Sequence, residues 1–215
     1  DILPRWGGIS QPEDQVGPIS EFIRARQIAR LSYVGSNEVT KATIEGSFKR
    51  FIHLLDKHLT EQPFLMGERP GASDFAVYGQ LTCLALFDPT PQAIILAECP
   101  RVYAWVETVE ELSGYLVSDS DWLDLDNPPE TLKSILAEVG RIYAPYLMGN
   151  AKAVMEKADK LEMELDGKPW VQNPFVYQAK CLQWLREAYA GLQVADRSRV
   201  DGVLKDTGVM QLFEA

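Results

Sequence analysis

Between Val39 and Thr60 the apolar residues Phe48, Phe51, Ile52, Leu55 and Leu59 return at intervals of three and four, so one stripe of an α-helix must be buried against other elements. The same spacing recurs along the chain. Ile19–Val34 carries Ile19, Phe22, Ile23, Ile28 and Leu31, with Ser20 as a cap and Gly35-Ser36 as a stop. A third helix is expected from Ala72 to Leu86, punctuated by Pro70-Gly71 before it and closed by the prolines of "FDPTP". A fourth, Arg101–Leu112, places Val102, Trp105, Val106 and Val109 inward. Glu130–Asp159 reads as helix broken near Ala144, because Pro145 removes an amide there. Further helices are expected over Phe175–Leu192 and Ala195–Lys205. The expected class is all-α.

One segment breaks the helical period. "KLEMELDGKPWVQ" alternates Leu161, Met163 and Leu165 with Glu162 and Glu164, and Asp166-Gly167 suits the positive φ of a two-residue hairpin turn. A single β-hairpin near 161–171 is therefore expected, and a lone hairpin needs cover. Tyr177, Cys181, Trp184 and Leu185 are the residues expected to receive its apolar face. The polar, acidic stretch Ser113–Pro129 suggests a connection between two helical sets, 1–114 and 115–215.

Forty-six per cent hydrophobic residues and 24% charged, in 215 residues, suit a soluble globular chain. No apolar run reaches the roughly 18 residues of a membrane span, and no basic-then-apolar leader is present, so a cytoplasmic location is expected. The net charge of −10 argues against nucleic-acid partners. Cys83, Cys99 and Cys181 lie far apart, outside any metal-ligand spacing, and are expected to be reduced and mostly buried. His53 and His58 stand about 140° apart around a helix, which leaves no joint metal site. They are expected at or near the surface. "SDSDWLDLD" lacks the glycine and final glutamate of a calcium loop and reads as a solvated linker. The chain starts at Asp1 rather than methionine, so a longer parent protein is expected.

The stretch "FLMGERPGASDFAVYGQL" sets a carboxylate, Asp74, directly before an apolar helix. With Gly71 as N-cap, Asp74 occupies the third helical position, from which a carboxylate reaches back to the cap amide and meets the positive end of the helix dipole. Gly71 has no hydroxyl, so half of a capping box can form.

These residues carry a resemblance. "LLDKHLTEQPFLMGERPGASDFAVYGQL" resembles the C-terminal helical domain of glutathione S-transferases, where a helix ends, a short loop crosses and a capped helix opens with an aspartate. Asp74 matches the family's capping-box aspartate, and Gly71 stands where the family usually has serine or threonine. "CPRVYAWVETVEEL" is similar to the next helix, with Pro100 opening it and Trp105 inside. The likeness covers Ile19 to Gly114; from Tyr115 onward the chain more faintly resembles the C-terminal extension of larger bacterial members.

The resemblance implies an all-α, glutathione S-transferase C-terminal-like helical bundle with additional C-terminal helices and one small β-hairpin. It implies a transferase-like function in which this half forms the acceptor-substrate pocket and domain interface. Glutathione would bind mainly to an N-terminal thioredoxin-like domain of the parent, a homodimer is possible, and the chain alone would be inactive. The alternative is a non-catalytic helical module for protein assembly. Phe22, Arg26, Arg30 and Tyr33, spaced four, four and three, share one face of the first helix, which in the family borders the cleft between domains. An arginine there suits a carboxylate and the aromatic rings an apolar acceptor, with Trp6 as part of the same wall. Simple pairing of these arginines with nearby carboxylates is the competing reading.

Overall fold

The structure, a computed structural model, describes residues 13–214. Helix α1 spans Glu13–Arg30 and runs into a 3₁₀ turn, Leu31–Val34, that ends at Gly35 in the left-handed region, φ 72°. It starts earlier than Ile19, with Pro18 inside it. Helix α2, Lys41–His58, turns Ile52, Leu55 and His58 inward. Helix α3, Ala72–Leu81, continues as a π-helical turn, Thr82–Phe87.

Helix α4, Pro89–Glu98, occupies a stretch the sequence reading treated as a stop. Its prolines open the helix. Pro89 has no amide to leave unpaired in the first turn, and Asp88 accepts the Thr90 amide at 3.0 Å as the cap. Helix α5, Pro100–Glu110, follows with Val102, Trp105, Val106 and Val109 buried.

After the acidic connection come α6, Glu130–Glu138, a π-helical turn Val139–Tyr143, and α7, Ala144–Met155. The expected break near Ala144 is this wide turn. Pro145 cannot donate to the ladder, and the backbone widens before it. Gly140 lies in the turn, and a Cβ there would sit 2.0 Å from the Thr207 carbonyl. The tail therefore crosses the helix backbone directly, and Gln211 Nε2 donates to the Gly140 carbonyl at 2.9 Å.

Strands β1, Leu161–Leu165, and β2, Lys168–Gln172, pair antiparallel with Leu165 opposite Lys168. Asp166 and Gly167 take φ of 55° and 70°, the two positive values a type I′ turn requires. Helices α8, Val176–Ala190, and α9, Val194–Leu204, and a 3₁₀ turn, Val209–Leu212, complete the described chain.

The hairpin is covered by α7 and α2 rather than by α8. Leu161, Leu165 and Trp170 pack with Tyr146, Ala153 and Ile44, whereas Tyr177, Trp184 and Leu185 face solvent. Asn150 sets this arrangement: its amide donates to the Phe175 carbonyl at 2.9 Å and its carbonyl accepts the Phe175 amide at 2.7 Å. That clamp seats the start of α8 on α7, with Leu182 facing Ala144 and Leu147.

The first core joins α2, α3, α4 and α5 through Ile52, Leu55, Leu81, Ile95, Val102 and Val106, and it also takes in Ile135 of α6. Arg50 of α2 reinforces that seam with a bidentate fork on Glu138, at 2.8 and 2.9 Å. Asp166 at the hairpin tip bridges Arg50, at 3.2 Å, and Arg141, at 2.6 Å.

Candidate functional site

Helix α1 carries the aromatic and arginine stripe. Phe22 is 67% exposed and Tyr33 62%, and Arg26 and Arg30 also face solvent. None of the described side chains of α1 is buried. Tyr33 lies in the 3₁₀ turn, where each residue advances about 120°, so it stands off the line of the other three. Arg24, on another face, pairs with Glu21 at 2.7 Å. Trp6 lies outside the described residues. The structure thus holds Phe22, Arg26 and Arg30 on one open helix surface and does not enclose them.

What aims that surface is the joint between α1 and α2. Asn37 Oδ1 accepts the amides of Val39 and Thr40, at 2.9 and 3.2 Å, which caps the entry to α2. Its Nδ2 donates to the Val171 carbonyl of β2 at 2.8 Å. Gly35 is roofed by the hairpin: a Cβ there would fall 2.2 Å from Gln172 Oε1 and 3.0 Å from the Trp170 ring. Behind it, Trp170 Nε1 donates to Gln172 Oε1 and Gln172 Nε2 donates to the Tyr146 hydroxyl, each at 3.0 Å. Burial pushes the Tyr146 hydroxyl above its ordinary pKa, so it stays a protonated member of this network.

The entry to α3 is held by Asp74, which is fully buried. Its Oδ2 accepts the Gly71 amide at 2.9 Å and its Oδ1 accepts the Leu65 amide at 2.8 Å. One carboxylate therefore ties the crossing loop to the helix start. Gly71 supplies no side-chain partner, so the reciprocal half of the box is absent. A ring crowds this glycine: a Cβ at Gly71 would lie 3.1 Å from Trp122 Cζ3.

Trp122 belongs to the acidic stretch, which is a strap rather than a solvated linker. Glu68 donates its amide to the Asp121 carbonyl and Leu123 to the Met66 carbonyl, both at 2.8 Å. Arg69 lies 4.4 Å over the Trp122 ring and pairs with Asp119 at 3.1 Å.

Residues 48–109, from the middle of α2 to the end of α5, match the model of the family described as Glutathione S-transferase, C-terminal domain. The matched segment, 62 of the 215 residues, is similar to that domain. No curated protein and no solved structure matches the chain. Gly71, Asp74 and Trp105 fall inside the matched segment; α1, the strap and the C-terminal helices fall outside it.

The histidines and thiols of the domain act mainly as structure. His58 is fully buried, not near the surface, with Nε2 on the Phe64 carbonyl at 3.2 Å and Nδ1 3.0 Å from the Thr131 hydroxyl. A carbonyl only accepts, so Nε2 carries the proton. His53 stands outside, between Cys99 Sγ at 3.3 Å and Glu98 at 3.0 Å. The Cys99 thiol is buried and pushed up to about 11, by desolvation first and then by Asp56 and Glu98, which makes it a poor nucleophile. Cys83 is exposed and Cys181 half-buried, contrary to the expected burial. Among the described residues no cluster of histidine, cysteine and carboxylate side chains is placed to hold a metal, and no helix is long and apolar enough to cross a membrane.

Sequence reasoning missed Asn37 and Trp122. Asn37 had a local signal, an asparagine just before a helix start. Trp122 had none, since its partner Gly71 is remote in the chain.

Proposed function

We propose that this chain is the helical half of a glutathione S-transferase-like protein, with α1 forming the wall of an acceptor-substrate pocket and the interface to a thioredoxin-like domain. The observation that carries the proposal is the openness of α1: Phe22 is an exposed apolar side chain on the same face as the exposed Arg26 and Arg30, and Ile28 is exposed on another side of the helix. Surface of this kind marks an interaction site. The family match over the adjoining helices supplies the context.

The described residues do not make a glutathione site by themselves. Arg26 and Arg30 lie on an unenclosed surface, and of the hydroxyls beside them Ser32 donates to the Ala29 carbonyl at 2.8 Å while Tyr33 stands exposed. Glutathione is therefore assigned to the thioredoxin-like partner, and this chain's part is binding and orientation. An arginine fork holds a carboxylate through paired N–H donors, while Phe22 offers an apolar ring face.

The test is conjugation of glutathione to 1-chloro-2,4-dinitrobenzene, by this chain alone and joined to a glutathione-binding thioredoxin-like domain. The chain alone is expected to give no turnover above the uncatalysed rate. In the joined protein, Phe22→Ala and Arg26→Ala are expected to raise the acceptor KM several-fold. Turnover by the chain alone, or an acceptor KM indifferent to both substitutions, overturns the proposal. A joined protein that assembles tightly yet stays inactive would instead favour the assembly-module reading, which the exposed Val176, Tyr177 and Trp184 on α8 also suit.

A further inference from the structure

The C-terminal helices leave an open groove that the packing does not fill. Between α7 and α8 its floor is Pro145, Met148, Gly149, Ala151 and Leu182, enclosing about 500 Å³. A second hollow of about 430 Å³ shares Ala151, Leu182 and Arg186 and extends the groove along α8 past Ala179 and Ala190. The groove exists because small residues stand where the two helices face each other. A Cβ at Gly149 would lie 2.8 Å from Met163 Sδ of the hairpin, so a larger residue there would have to displace that side chain. Each volume falls within the range of about 300–1,000 Å³ typical of small-molecule sites.

Its charge is what selects an occupant. The chain carries a net −10, yet Lys152 and Arg186 both border the groove. The Lys152 ammonium forms no ion pair or hydrogen bond with the described residues. Arg186 uses only Nε, which donates to the Leu212 carbonyl at 2.7 Å and fixes the guanidinium at the groove's edge. Its two terminal nitrogens remain for a ligand. One carboxylate, Glu187, lines the second hollow; it accepts from Gln183 at 2.7 Å and does not pair with Arg186, and the carboxylate-binding end is therefore the Lys152 end of the groove. A methionine and alanine floor accepts a flexible apolar body, and two cations at its rim accept a carboxylate.

We infer that the groove between α7 and α8 binds a small apolar carboxylate, its chain along Met148, Ala151 and Leu182 and its carboxylate between Lys152 and Arg186. The site lies beyond the segment that matches the transferase family and does not depend on α1 or on glutathione. A groove open to solvent predicts modest affinity, with saturation below about 1 mM.

The experiment titrates decanoate, decanol and decyltrimethylammonium into the full chain labelled with [methyl-¹³C]methionine, which places reporters at Met148 and Met155 in the groove and at Met66 in the first core. Decanoate is expected to shift the Met148 and Met155 resonances saturably, leave Met66 unmoved, and bind at least about tenfold more tightly than decanol. Lys152→Gln and Arg186→Gln should each weaken decanoate several-fold without changing decanol. Should Arg186→Gln unfold because the Leu212 contact is lost, Lys152→Gln decides alone. Ala151→Trp should abolish binding of both. Equal affinity for acid and alcohol, tighter binding of the cation, shifts outside the groove, or no saturation below about 1 mM would each overturn the inference.

Discussion

Replacing Asp74 with alanine removes the single acceptor for two buried amides, those of Leu65 and Gly71, at 2.8 and 2.9 Å. Each orphaned donor costs about 1–3 kcal/mol, and the site is fully buried, so water cannot stand in without reopening the loop. The loss expected is about 3–4 kcal/mol, a large share of the 5–15 kcal/mol typical of a domain. Asp74→Asn keeps one acceptor oxygen but turns an N–H₂ toward the second amide, so about half that loss is expected. Urea unfolding followed by tryptophan fluorescence and far-ultraviolet circular dichroism gives both values, with an unchanged m-value certifying that the denatured state is the same. A loss below about 1 kcal/mol for alanine, or an asparagine variant as stable as the parent, would refute the two-amide account.

Gly71→Ser restores the hydroxyl of a full capping box but sets a Cβ against Trp122; the serine should therefore gain about 1 kcal/mol more in a Trp122→Ala background than in the parent, measured as a double-mutant cycle. No difference between backgrounds would break the link between ring and glycine. Asn37→Ala should cost about 1–2 kcal/mol and speed hydrogen exchange at Val39 and Thr40, whose amides it caps; unchanged exchange there would count against the joint. Iodoacetamide at pH 8 should label exposed Cys83 first and leave Cys99 untouched until the chain unfolds, which peptide mapping resolves; equal rates would contradict the burial and raised pKa of Cys99. Burial pushes the Asp166 carboxyl upward, but the Arg141 hydrogen bond and the charges of Arg50, Arg141 and Lys168 outweigh it and hold it below the ordinary range. Its contribution is thus present above the unfolded value of about 3.9 and lost as pH falls through the folded one, so the stability gap between parent and Asp166→Asn should close on acidification. A gap constant from pH 6 to the acid limit would remove the ion bridge from the account.

The parts of this fold that were legible are those whose cause lies within a few residues. The stripe of α2 is set by spacing alone, and the I′ turn by Asp166-Gly167. The cause of helix α4 is local too: the prolines of "FDPTP" can end a helix or open one, and Asp88 directly before Pro89 is a cap followed by a favoured first helical residue. The face that covers the hairpin was not local: α8 carries apolar residues on both sides, and only the Asn150 clamp on Phe175 decides that Leu182 turns inward and Trp184 outward.

The candidate site shows the same division more sharply. Asp74 advertises its role because a carboxylate at the third position of a helix has one common use. Gly71 does not, since the ring that crowds a Cβ there arrives on the strap, and backbone pairing of Glu68 with Asp121 and Leu123 with Met66 brings it. Backbone pairing leaves little trace in residue identity. Likewise Asn37 reads as a cap, but its bond to the Val171 carbonyl depends on where the hairpin lands. The direction in which α1 presents Phe22, Arg26 and Arg30 is therefore fixed by residues more than a hundred positions later, between Val171 and Asn37. It follows that the hairpin and the exposed face of α1 are mechanically joined: a change in β2 that slips the Val171 carbonyl should alter the direction in which α1 presents Phe22, Arg26 and Arg30 while leaving the stripe itself intact.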